Sequence, residues 1–98
     1  MTSEELIEML DADDLDEFLK FDRVKEPLSK RPDLHAFLLL DRLVPGTQDI
    51  IAGAADDKIW IGVDVEELAA VITPEQVTDL IRCGVLWDSD ADSVGMFA

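Results

Sequence analysis

Asp88-x-Asp90-x-Asp92 has the spacing that opens a calcium loop, in which alternate carboxylates of a tight turn converge on one cation. Such a loop needs glycine at its sixth position, and Ser93 stands there. Asp11, Asp13, Asp14, Asp16 and Asp22 fail similarly, with Leu15 at the fifth position. Both runs read instead as turn aspartates and a solvated helix start, and no metal is expected. Cys83 and His35 are the single cysteine and single histidine. One of each cannot make a zinc set. Cys83 falls at the end of a helical pattern, where the dipole raises a thiol pKa and so disfavours the nucleophilic thiolate. His35 sits on an apolar helical run and is expected to hydrogen-bond on a partly covered face. Carboxylates are abundant, but none stands in an apolar setting that would separate its pKa from its neighbours'. No catalytic constellation and no cofactor-binding motif emerges, and the chain is expected not to be an enzyme.

The acids matter collectively. Twenty-three acidic residues face eight basic ones, a net charge of −15 on 98 residues, while 48% of the chain is hydrophobic. An acidic surface on a folded core repels nucleic acid and anionic membranes and attracts basic protein surfaces. The distribution is uneven. Residues 1–19 hold eight acids and no base, residues 20–42 hold six bases and four acids, and residues 43–98 hold eleven acids against Lys58 and Arg82. Two acidic surfaces are the candidate partner-binding sites. The first comprises Glu4, Glu5, Glu8, Asp11, Asp13, Asp14, Asp16 and Glu17. The second comprises Glu75, Asp79, Asp88, Asp90 and Asp92. All are expected to be solvent exposed. Crowded like charges also predict that stability rises as pH falls from neutral toward about 5.

The elements that position these residues follow from periodicity. Thr2-x-x-Glu5 fits a capping box ahead of Leu6, Ile7, Met9 and Leu10. Asp11 or Asp13 could cap a second helix bearing Leu15, Phe18, Leu19 and Phe21, ended by Pro27. Pro32-Asp33 opens a helix apolar nearly all round, through Leu34, Phe37, Leu38, Leu39, Leu40, Leu43 and Val44, which predicts a central helix covered on two sides. Asp49–Ala54 and Lys58–Val63 read as a short hairpin, the second strand alternating Ile59, Ile61 and Val63 with Lys58, Trp60 and Gly62. Asp64 caps a helix with Val65, Leu68, Ala69 and Ile72. Thr73-Pro74-Glu75-Gln76 starts another, with Val77, Leu80 and Ile81 buried and Gly84 as a left-handed stop. Val85–Trp87 and Val94–Phe97 are strands around an acidic turn. Leu34, Phe37, Leu38, Val77, Leu80 and Ile81 are expected to be buried together. Both tryptophans are read as core residues that become interface anchors if exposed.

The expectation is an α+β fold in one domain, residues 1–98, mostly helical with a short antiparallel sheet. Residues 1–26 form an acidic helical N-terminal segment and 33–98 the core. A chain this long can bury about two-thirds of its unfolded surface without disulfides. With no early basic and apolar leader and no long apolar run, a cytoplasmic protein without membrane association is expected.

Residues 33–98 resemble a winged helix-turn-helix domain, on the order of elements, the Thr73-Pro74-Glu75-Gln76 helix start and the Val85–Phe97 hairpin. The resemblance implies that Pro74–Cys83 is the recognition helix and Asp88–Asp92 the wing tip, both DNA contacts in such proteins. Here those surfaces carry Glu75, Asp79, Asp88, Asp90 and Asp92 against Arg82 alone, the wrong sign for phosphate. Direct nucleic-acid binding is therefore not expected. The overall texture is also similar to small acidic proteins encoded by bacteriophages. The preferred functional reading is an acidic interaction module that binds a basic protein surface, as a nucleic-acid mimic or an immunity-type inhibitor would. The alternative is a small structural or assembly subunit, of a phage particle or other intracellular complex, that forms a homo-oligomer through apolar helix faces.

Overall fold

The threonine at position 2 starts the first helix as its spacing predicts. In the computed structural model, which describes residues 1–12 and 16–97, Thr2 Oγ1 accepts from the Glu5 N–H and Glu5 Oε1 accepts from the Thr2 N–H. Helix α1 runs Ser3–Asp11, α2 Pro32–Leu43, α3 Val65–Val71 and α4 Pro74–Arg82. Strands are β1 Ile51–Ala55, β2 Lys58–Ile61, β3 Val85–Asp88 and β4 Ser93–Phe97. Asp64 Oδ1 caps α3 by accepting from two backbone N–H groups, and Thr73 and Gln76 complete a capping box on α4. Gly84 leaves α4 at φ +95°, a left-handed conformation that costs glycine least.

The strands form one antiparallel sheet in the order β1-β2-β4-β3, an α+β arrangement. The alternation read in β2 fixes its faces. Ile59 and Ile61 turn toward the helices with Val85, Trp87, Val94 and Met96, while Lys58 and Trp60 turn away. Leu6 and Leu10 of α1, Leu40 of α2, Leu68 of α3 and Val77 and Leu80 of α4 meet that inner face in a single core. Helix α1 packs on α3, α4 and β3, and its Leu6 is fully buried. It is thus part of the core, although the sequence set residues 1–26 apart from it. No helix among the described residues is long and apolar enough to cross a membrane.

Two expectations are corrected. Residues 16–23 do not form an α-helix: they make turns and one 3-10 turn, Phe21–Arg23. Asp13 and Leu15, part of that expectation, lie outside the described residues. Leu19 adopts φ +64°, a left-handed conformation unfavourable to a branched side chain. Its N–H donates to Ile81 O at 3.3 Å, so a tertiary backbone hydrogen bond to the end of α4 takes the place of a helical one. Helix α2 is not central either. It buries His35, Ala36 and Leu40, and leaves Leu34 and Leu38 at 42% and 37% exposure. Val77, Leu80 and Ile81 are buried as expected, but Phe37 is only half-buried. A helix with leucines on every side does not disclose which stripe faces in. Here small Ala36 marks the close-packed face.

Candidate functional site

The two acidic surfaces differ once their partners are known. On α1, Glu4, Glu5, Glu8 and Asp11 are all exposed. Glu5 serves the cap, and the Thr2 backbone N–H holds its carboxyl below the usual range. Glu4, Glu8 and Asp11 have the spacing i, i+4, i+7 and so share one helix face. No base lies in the last turn of that helix. Like charges at these spacings destabilise a helix, and Asp11 adds a negative charge at the negative end of the dipole. Asp16 is exposed as expected, whereas Asp13 and Asp14 lie outside the described residues.

Glu17 departs from the exposed set. Its Oε2 accepts from Arg82 Nε and its Oε1 from Arg23 Nη1 at 2.9 Å. Arg82 Nη1 also donates to Asp79 Oδ1 at 3.0 Å and to Arg23 O at 3.3 Å. Glu17 and Asp79 are both half-buried in this clamp, which ties residues 16–23 to α4. The Arg82 hydrogen bond holds the Glu17 carboxyl below its usual range, and the same bond raises Arg82. The expectation that these two acids lie open to a partner is therefore corrected. Arg82 is the only base on a helix carrying Glu75 and Asp79, and that isolation was the available sign of a structural pair.

Asp88 is corrected more strongly. Expected at an exposed turn tip, it is 7% exposed at the end of β3. Its Oδ2 accepts from Trp60 Nε1 at 2.7 Å and Lys58 Nζ at 3.3 Å. Its Oδ1 accepts from the N–H groups of Asp90 and Ala91 at 3.0 and 3.4 Å, closing the β3–β4 turn. The Trp60 bond is the main reason its carboxyl sits below the usual range. The Val85–Trp87 alternation, carried one residue further, would have placed Asp88 on the Trp60 face of the sheet. Asp90 and Asp92 are exposed in the turn, and so is Glu75 at the start of α4. Trp87 is buried, as a core residue, whereas Trp60 is half-buried on the outer sheet face.

Cys83 and His35 are both buried. Burial, followed by the charges of Asp79 and Asp33, pushes the Cys83 thiol up to about 12, so it is protonated at neutral pH. His35 Nδ1 accepts from the Leu28 N–H at 2.9 Å, which puts the ring proton on Nε2. Nε2 is buried without a protein partner, and Phe21 tilts against the ring at 5.8 Å. Desolvation lowers the His35 pKa, with Asp79 opposing. Among the described residues no group of three or more His, Cys, Asp or Glu side chains could hold a metal ion.

Compared with known proteins, the chain matches no family model, no curated protein and no solved structure.

Proposed function

We propose that this protein is an acidic interaction module that binds a basic surface of a partner protein, as a nucleic-acid mimic or an immunity-type inhibitor does. One observation carries this reading: the exposed stripe Glu4, Glu8, Asp11 on α1, in which Glu4 suits the helix start but Glu8 and Asp11 add like charge that helix stability does not explain. Among the described residues only Glu17, Asp79 and Asp88 have Lys or Arg partners, so the structural need for acids is met elsewhere. Carboxylates spaced along a helix can stand in for phosphates, and their field speeds docking. The proposal includes a cytoplasmic setting without enzymatic activity, and a winged-helix-like arrangement of residues 33–97. The helix–hairpin–helix–helix–hairpin order, with β4 between β2 and β3, supports that arrangement. Direct nucleic-acid binding does not belong to it, since Arg82, the base on α4, is already engaged by Glu17 and Asp79.

Partner recovery from the native cell lysate at low and then high salt tests the reading. A basic protein that is retained at low salt and released as salt rises supports it. Retention indifferent to salt contradicts it. A second reading, the assembly subunit, is favoured by Leu34 and Leu38, exposed one turn apart on α2. It predicts a homo-oligomer in solution whose mass does not change with salt and falls to the monomer in Leu34→Ser/Leu38→Ser.

A further inference from the structure

The outer face of the sheet carries an aromatic platform. Trp60 lies across two glycines of neighbouring strands: a Cβ on Gly53 would come 3.2 Å from its Cε3, and one on Gly95 3.6 Å from its Cδ1. Its indole Nε1 donates to Asp88 Oδ2 at 2.7 Å, which anchors the ring on this face. Ala52, Gly53, Ala91 and Ser93 surround it, all too small to cover it, and leave a depression of about 290 Å³ with Trp60 as its wall. Asp90 and Asp92, both exposed, are the chain neighbours of Ala91 in the β3–β4 turn. Lys58, on the same face, is taken up by Asp88 and lies 5.5 Å over the Phe97 ring, so it does not neutralise that turn.

We propose that Trp60 is the docking platform for an arginine side chain of a basic protein segment, with Asp90 and Asp92 drawing the guanidinium in. The proposal rests on the function proposed above for the basic character of the partner, and adds where that partner is gripped. Charge complementarity selects the occupant. An aromatic side chain lined by a turn that carries two exposed carboxylates favours a cation. A second copy of this chain, at −15, would bring its own acidic turn against this one. A planar guanidinium stacks on an indole better than an ammonium does.

The test is a two-dimensional NMR titration of the full chain with a hexa-arginine amide peptide. Ionic strength is held at about 0.15 M, where the screening length of about 8 Å suppresses diffuse attraction. The Trp60 indole N–H and the amides of Gly53, Ala91 and Ser93 are expected to shift saturably, while the Trp87 indole stays in place. Trp60→Leu should weaken binding about 2–5-fold, the equivalent of an exposed cation–π contact of about 0.5–1 kcal/mol. Asp90→Asn/Asp92→Asn should also weaken it, and asparagine tolerates the φ of +51° at position 92. If Trp60→Leu does not fold, the wild-type shifts and the double asparagine variant still decide. Shifts confined to α1 overturn this proposal and leave the acidic-module reading standing. No saturable shift anywhere on the chain contradicts both.

Discussion

Helices α1 and α4 are built alike and used differently. Each has nine residues, a threonine capping box and a buried apolar stripe, Leu6 and Leu10 in one, Val77, Leu80 and Ile81 in the other. They part at their polar faces. Helix α4 ends on Arg82, a cation at the negative end of the dipole, and that arginine binds Asp79 three residues earlier and Glu17 from another segment. Helix α1 ends on Asp11, with Glu8 and Glu4 above it and no base in its last turn. The capping box and the Arg82 pairs of α4 stabilise the fold, whereas Glu8 and Asp11 act against their own helix. Acidity alone does not mark a docking face; what marks α1 is acidity that the fold does not use.

The largest effects should come from what the helices share. Leu6→Ala and Leu80→Ala each remove a fully buried leucine and should each cost about 2–5 kcal/mol in denaturant unfolding. A loss below about 1 kcal/mol at Leu6 would make α1 an appendage and break the comparison, since exposed truncations cost about that little.

Next comes the clamp. Arg82→Met should lower the melting temperature and speed hydrogen exchange at the Leu19 amide, because Glu17 and Asp79 lose their shared cation and residues 16–23 their tie to α4. Unchanged Leu19 exchange would show that the backbone bond to Ile81 suffices without the ion pairs.

The pH response is smaller and has a defined sign. The folded-state pKa of His35 lies below its ordinary value of 6.5, so the unfolded chain binds this proton more readily. The stability contributed by the neutral ring is complete above about pH 6.5 and is lost as pH falls toward the lower folded value. Glu17 and Asp88, also lowered, lose their contributions only as pH falls through the still lower carboxylate range. These groups oppose the rise in stability expected from relief of carboxylate repulsion. Relative to His35→Gln, the wild-type melting temperature should therefore fall between pH 7 and 5.5. A constant difference across that interval would mean that the Leu28 N–H bond and burial do not hold the ring neutral.

Smallest should be the α1 acids themselves. Glu8→Lys and Asp11→Lys should change stability by no more than about 0.5 kcal/mol, or raise it by up to about 1 kcal/mol at Asp11 through the helix dipole.

The sequence disclosed what local chemistry decides. Thr2, Asp64 and Thr73 cap the helices they were expected to cap, Gly84 stops α4, and the β2 alternation assigns its faces. It misled where tertiary contacts decide. Leucines on every side of α2 hid that Leu34 and Leu38 stay outside. The segment around Leu19 has a helical pattern, yet is bent by Ile81 and the Arg82 clamp. Asp88 looked like one more turn aspartate because its partners, Trp60 and Lys58, lie some thirty residues away in sequence, 28 and 30 positions earlier. Among the candidate acids the legible part was therefore position, and the illegible part was partnership.

The most direct test of this account is the association rate of the salt-released partner with wild-type protein and with Glu4→Lys/Glu8→Lys/Asp11→Lys, measured at low and at physiological ionic strength. Association should be several-fold slower for the folded variant, with the difference shrinking as salt rises. Equal on-rates at both salt concentrations would contradict it and leave the α1 stripe serving solubility alone.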